Sequence, residues 1–209
     1  MKIQDIVPSL MEPHLTPALN SYVLDNMPEF RCVLGEHPLK DHTGGVSICE
    51  AFWLYCLVRD LAPEVVVESG TLYGFSLWFL EKARGCNSEL HSFDPGYAPK
   101  YLLEKVDYHR CDWRVWFPYD VPENALVFFD DHQDHGMRLE EAEELGVRDV
   151  VFHDNYLSLK HSHRPIRYCE LPDNVEFCFT FPCLGNDPVF EVGQNAQTYR
   201  WLMWLRLGE

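Results

Sequence analysis

The chain has 209 residues, 46% of them hydrophobic, and a formal net charge of −16 from 33 acids against 17 lysines and arginines. That length suits one α/β domain with a full core, and no Ser/Gly-rich linker or internal repeat divides it, so residues 1–209 read as a single domain. The acidic balance, without a basic stripe, repels polyanions and argues against nucleic acid and anionic membrane surfaces as partners, which leaves a small neutral or cationic molecule.

Residues 1–45, rich in proline and short apolar pieces, read as a cap segment over the ligand side. They lack the apolar stretch of a signal peptide, and no later run is long enough to span a bilayer, so the expected location is cytoplasmic. Ser47 and Glu50 have the spacing of a capping box, and the apolar segment after them reads as a buried helix stopped by Pro63. Strands are expected at 64–68, 89–93, 106–110, 125–130 and 148–153, with helices at 75–84, 97–104 and 135–145. This alternation predicts a Rossmann-like, doubly wound, mostly parallel sheet. Residues 166–170 and 175–181 flank the turn signal Leu171-Pro-Asp-Asn174 and read as an antiparallel hairpin at the C-terminal edge. Residues 194–207 have a helical pattern whose two tryptophans, Trp201 and Trp204, suit the core or the face of a homo-oligomer. Eight scattered cysteines without a C-x-x-C pair read as reduced, mostly buried thiols.

The most informative stretch is Glu64-Val-Val-Val-Glu68-Ser-Gly70-Thr-Leu-Tyr-Gly74-Phe-Ser76, followed by Leu90-His-Ser-Phe-Asp94. An apolar strand ends in an acid, a glycine-bearing turn follows, and a helix starts beyond it. Glycines let backbone N–H groups approach a ligand closely, and the helix N-terminus adds partial positive charge. Asp94, at the end of the next strand, stands where a parallel sheet places the acid that accepts from a ribose. Leu72 and Phe75 occupy positions where a dinucleotide fingerprint needs glycine, and there is no phosphate-loop motif. A nucleoside ligand is the expectation.

With its E-x-G-x-x-x-G-x-S pattern the chain resembles the class I S-adenosylmethionine-dependent methyltransferases, in particular the small metal-dependent O-methyltransferases of the catechol and macrocin types and the cephalosporin hydroxylase type. The resemblance implies methyl transfer from S-adenosylmethionine to a hydroxyl of a small molecule. Carried over by position, it implies Glu68, Gly70, Tyr73 and Ser76 around the methionine part of the cofactor, Asp94 on the ribose, Asp112 and Trp113 near the adenine, and Gly45 and Val46 where the approach helix meets it.

Two further runs, Leu126-Val-Phe-Phe-Asp130-Asp131-His132-Gln133-Asp134-His135 and Val150-Val-Phe-His153-Asp154-Asn155-Tyr156, are strands ending in acids. Adjacent strands would bring these ends together at the ligand crevice, and Asp131, Asp154 and Asn155 would suit octahedral Mg²⁺. The resemblance also pairs Asp131-His132 with Asp154-Asn155 around Mg²⁺; the doubled acid leaves Asp130 as the alternative to Asp131. Histidines at 132, 135, 153, 161 and 163 surround the same crevice and open a second reading, an Fe²⁺ hydroxylase on this fold. A third reading is a non-catalytic, methyltransferase-like binding subunit. Candidates for the general base are Asp134, His135 and Lys160, with His161 beside them. The chain departs from the resemblance in two places: it has no lysine soon after the Asp-His pair, and 155–165 is too short for the usual helix there.

Overall fold

The computed structural model describes residues 2–3, 17–39, 45–116, 121–154, 164–182, 184 and 202–208. Helices α1 (Pro17–Gly35), α2 (Ile48–Leu61), α3 (Phe75–Ala83), α4 (Trp113–Trp116) and α5 (His135–Glu144) alternate with strands β1 (Val65–Ser69), β2 (Glu89–Phe93), β3 (Asp107–His109), β4 (Ala125–Phe129), β5 (Asp149–Phe152), β6 (Val175–Thr180) and β7 (Met203–Leu207). They form one seven-stranded sheet in the order β3-β2-β1-β4-β5-β7-β6. The first five strands are parallel, and β7 lies antiparallel between β5 and β6. This is the doubly wound, mostly parallel α/β sheet with an antiparallel edge that the strand pattern predicts.

Strand alternation sends neighbouring side chains to opposite faces, and both faces are covered. Val66, Leu90, Leu126, Phe128 and Val151 pack with α1, α2 and α3. Val67, Phe93, Val127, Phe129, Val150 and Phe152 pack with Leu139 and Ala142 of α5 and with Trp113. Ser47 and Glu50 form the predicted capping box, and α2 ends at Ala62 in the left-handed region, just ahead of Pro63. Asp134 caps α5 by accepting from the Met137 N–H.

Four expectations are corrected. Residues 97–104 are not helical: Pro99 lacks an N–H and disfavours the helical region for Ala98, and the segment folds over the start of α3, where the Tyr101 hydroxyl donates to the Gly74 carbonyl. Residues 166–168 form a 3-10 turn instead of a strand, and β6 pairs with β7. The described end of the presumed C-terminal helix is therefore β7, a strand whose Trp204 is fully buried; residues 194–201 lie outside the described residues. Finally, of the seven described cysteines only Cys49 and Cys56 are buried.

Within the cap segment, α1 lies on the helix layer, where the Phe30 ring meets Phe52 edge-on and stacks on Phe79, both at 5.3 Å. Gly45 is the part of 1–45 that reaches the ligand side among the described residues. No described helix is long and apolar enough to cross a membrane.

Candidate functional site

The parallel ladder continues one residue beyond the strand ends. Gly70 N–H donates to Phe93 O at 2.8 Å, Asp130 N–H to Ser69 O at 2.8 Å and His153 N–H to Phe129 O at 2.9 Å. Gly70, Asp130 and His153 consequently stand side by side at the carboxyl edge, where open α/β sheets bind ligands. A cavity of about 590 Å³ opens there, within the range of small-molecule sites. Its lining includes Gly45, Gly70, Asp94, Asp112, Asp131 and Asp154 from the sequence expectations, joined by Asp130, His132, Arg138 and His153.

The glycine turn is shaped by steric necessity. Gly70 has φ +99°, and a Cβ there would stand 2.3 Å from the Asp130 carbonyl oxygen. Leu72 follows at φ 45°, a costly conformation for a side chain of that size. Its N–H donates to Asp94 Oδ2 at 3.0 Å, while Gly96 and Tyr97 N–H donate to Asp94 Oδ1 at 2.8 and 2.7 Å. Three backbone donors thus fix the carboxylate at the end of β2, on the cavity wall.

Five expected cofactor contacts do not line the cavity. Glu68 is fully buried beneath the turn, where it accepts from the hydroxyls of Ser76 and Ser92. Burial pushes its carboxyl up to about 8, against the hydroxyl bonds and with help from the Asp130 charge. Glu68 and Ser76 therefore brace the turn from below. Val46 and Trp113 are fully buried, the latter donating to Glu141 Oε2 at 2.8 Å. Tyr73 lies under Lys100, whose Nζ is 4.0 Å from the ring centroid.

On the acceptor side the doubled acid divides. Asp131 turns to α5: its Oδ2 accepts from Ser69 Oγ at 2.6 Å and Arg138 Nε at 2.9 Å. Arg138, 1% exposed, also donates to Glu141 Oε2 and grips both oxygens of Asp112. Burial works against the Asp112 charge, but Arg138 and the Arg114 N–H outweigh it and hold the acid below the usual carboxylate range. Asp112 reaches the cavity already paired. Asp130 instead meets His153 and Asp154, with ligand atoms of the three within 4.8 Å of one another. Asp131, the expected metal ligand, is thus engaged by Arg138, while Asp130, its alternative, stands with Asp154. Asn155 lies outside the described residues.

His153 is the hub of this cluster. Its Nδ1 is 2.6 Å from Asp130 Oδ1 and 3.4 Å from Asp154 Oδ1, and its Nε2 is 3.3 Å from Glu50 Oε2. Burial disfavours an imidazolium, yet the charges of Asp130 and Glu50 overcome it and hold His153 well above its ordinary value. Asp130 is itself raised by burial, an effect that His153 opposes. His132, at φ 57°, places Nδ1 2.9 Å from Asp154 Oδ2, and that bond raises its own value. Asp154 is also left-handed, at φ 53°. Strained residues on both strand ends are the kind of feature that concentrates at functional sites.

Two expected bases are elsewhere. Asp134 is the α5 cap and pairs with Arg164 at 3.4 Å. His135 is buried against Phe152, its Nδ1 accepting from the Ile166 N–H at 3.1 Å. Neither is among the residues that line the cavity; Lys160 lies outside the described residues. Sequence reasoning gave Arg138 and Glu50 no part in the site. Arg138 sits one turn into a helix among glutamates, a pattern that reads as a solvated face, and Glu50 was explained by its cap.

No family model matches the sequence, and no curated protein matches it. Solved structures do match. The O-methyltransferase TomG from Streptomyces achromogenes, in complex with S-adenosylmethionine, has a TM-score of 0.55 and 16% identity over 96% of this chain and 100% of its own. The Podospora anserina methyltransferase PaMTH1, bound to S-adenosylhomocysteine, gives 0.54 and 10% over 92% and 94%. A Bacillus cereus O-methyltransferase with S-adenosylhomocysteine gives 0.51 and 14% over 91% and 97%. At these identities the likeness is one of fold: the described residues adopt the Rossmann-like architecture of these methyltransferases.

Proposed function

We propose that the protein is an S-adenosylmethionine-dependent methyltransferase acting on a hydroxyl of a small molecule, with a divalent cation on the acceptor side. The observation that carries this reading is the pairing of the Gly70 turn with Asp94 on the wall of one cavity, in a fold shared with methyltransferases. Asp94, held by three N–H groups, keeps acceptor capacity for the two ribose hydroxyls. Gly70 leaves its peptide open to the ligand.

Asp130 and Asp154 fit a divalent cation, and such an ion, when bound, would make an adjacent hydroxyl acidic enough to serve as a nucleophile. The sequence resemblance names Mg²⁺. This chain's own residues would orient the acceptor against the methyl group, which is where much of the rate of an in-line displacement arises. The net charge of −16 favours a small acceptor over nucleic acid.

Calorimetric titration with S-adenosylhomocysteine, followed by methyl-transfer assays on a library of hydroxyl compounds with and without EDTA, tests the reading. Cofactor binding with EDTA-sensitive transfer is the expected result. One observation favours a second reading, a metal-dependent hydroxylase: the imidazole of His153 stands between the two carboxylates. Turnover that needs Fe²⁺ and O₂ and ignores S-adenosylmethionine would select it.

A further inference from the structure

We propose that His37 and Tyr101 are positioning residues, which from outside the cavity lock the glycine turn in the shape that receives the methyl donor. The proposal rests on the methyl-transfer reading for what the turn holds. Gly70, Leu72 and Gly74 have φ of 99°, 45° and 86°, so every second residue of the turn is left-handed. Leu72 is not a glycine, and a side chain in that region persists only where its surroundings over-determine it.

Those surroundings are the donors to three consecutive carbonyls. Tyr73 O accepts from the Lys100 N–H at 3.2 Å. Gly74 O accepts from the Tyr101 hydroxyl, and Phe75 O from His37 Nε2 at 3.2 Å. A carbonyl only accepts, so His37 carries a proton on Nε2, while Nδ1 accepts from the Leu39 N–H at 3.0 Å. None of the three donors belongs to the turn or to α3. Two come from the segment between β2 and β3, and the third from the stretch just beyond α1.

The donors also pack on one another. His37, 2% exposed, meets the Phe75 ring at 4.7 Å and the Tyr101 ring edge-on at 5.9 Å. Burial pushes the Tyr101 hydroxyl well above its usual range, so it stays protonated and donates. Pro99 of the same segment lies so close that a Cβ at Gly74 would stand 3.0 Å from its own Cβ. The turn is thus tied to Asp94 through the Leu72 N–H and held through its last three carbonyls from behind. Gly70 and Leu72 line the cavity, whereas His37 and Tyr101 do not. What these two contribute to ligand binding therefore passes through the turn. A turn already fixed in the free protein needs little further ordering when the ligand arrives, which is how preorganisation raises affinity.

The test compares the full chain with Tyr101→Phe, His37→Leu and His37→Gln. Affinity for S-adenosylhomocysteine is measured by calorimetry, and amide hydrogen exchange is measured on the ligand-free proteins. Exchange is read at the Leu72 and Gly74 amides, which donate to Asp94 Oδ2 and Thr71 O, against the amides of β4 and β5. Tyr101→Phe keeps the ring and removes one donor. It should weaken binding about 3- to 10-fold and speed exchange at the turn, with β4 and β5 exchanging as in the parent. His37→Leu should do the same. His37→Gln, whose amide nitrogen can donate from the place of Nε2, should recover most of the affinity.

Parent-like affinity or parent-like turn exchange in Tyr101→Phe would overturn the proposal. So would faster exchange spread evenly over the sheet, or a glutamine variant no better than the leucine one. Should His37→Leu fail to fold, Tyr101→Phe decides alone. No binding of S-adenosylhomocysteine by the unaltered chain defeats the methyl-transfer reading, and exchange at the turn still decides whether the two residues hold it. Binding by the unaltered chain with parent-like turn exchange in Tyr101→Phe defeats the positioning role alone.

Discussion

The backbone of Asp130 lies against Gly70 so closely that a Cβ at Gly70 would come within 2.3 Å of the Asp130 carbonyl oxygen. The glycine turn and the acidic strand end are therefore one packed unit. With φ at +99°, Gly70→Ala carries both a backbone penalty and a collision with main chain, together roughly 2–4 kcal/mol. The expected outcome is a lower melting temperature and a loss of cofactor affinity in the same variant. Chemical denaturation and calorimetry check the two effects.

Asp94 is bound by three N–H groups from Leu72, Gly96 and Tyr97. Asp94→Ala removes the anchor of the turn and, on the proposed reading, the acceptor for the ribose. At about 1.5–3 kcal/mol for a hydrogen bond to a charged group, S-adenosylhomocysteine affinity should fall at least 10- to 100-fold. Asp94→Asn, which keeps one carbonyl oxygen, should fall between the two.

Arg138 joins Asp131, Asp112 and Glu141 while being 1% exposed. Arg138→Met leaves those acids without their cation and should cost about 3–5 kcal/mol by equilibrium unfolding. Arg138→Lys should recover little, because an ammonium cannot reproduce the guanidinium's simultaneous grip on both Asp112 oxygens and Asp131.

Glu68 links stability to pH. Its folded carboxyl sits at about 8, raised by burial from an ordinary value of 4.5. The native state then keeps a proton that the unfolded chain releases, so the stabilisation is complete below about 4.5 and is lost as pH rises through about 8. Glu68→Gln cannot ionise. Its melting temperature relative to the parent should rise between pH 5 and pH 8.5, by the equivalent of roughly 2–4 kcal/mol. A constant difference across that range would contradict the assignment.

Asp134 caps α5. Asp134→Ala should cost about 1 kcal/mol of stability through the lost bond to Met137 N–H, with S-adenosylhomocysteine affinity unchanged. Thermal melts and calorimetry on the same sample separate the two.

The parallel half of the fold was legible because its strands are short β-branched or apolar runs closed by turn residues, as in Val65-Val-Val and Ala125-Leu-Val-Phe-Phe129. The antiparallel edge was not, since β7 is five residues, Met203-Trp-Leu-Arg-Leu207, and only its neighbours decide between strand and helix. Arg206 pairs with Asp149 of β5 at 2.9 Å, a tertiary contact with no local signal. In the site, the placement of Gly70 and Asp94 on the cavity wall could be read because it is local to the turn. The split between Asp130 and Asp131 could not: it depends on Arg138 from α5 and His153 from β5, and a one-residue register is set by those partners. Glu68 and Ser76 match the cofactor motif by position, yet their mutual hydrogen bond puts them under the turn and off the cavity wall.

The measurement that bears most directly on the central claim is calorimetric titration of the purified chain with S-adenosylhomocysteine, with Asp94→Ala alongside. The expected result is one site per chain with micromolar affinity, weakened at least tenfold in the variant. No binding by the unaltered chain, or equal binding by a folded Asp94→Ala protein, would contradict it.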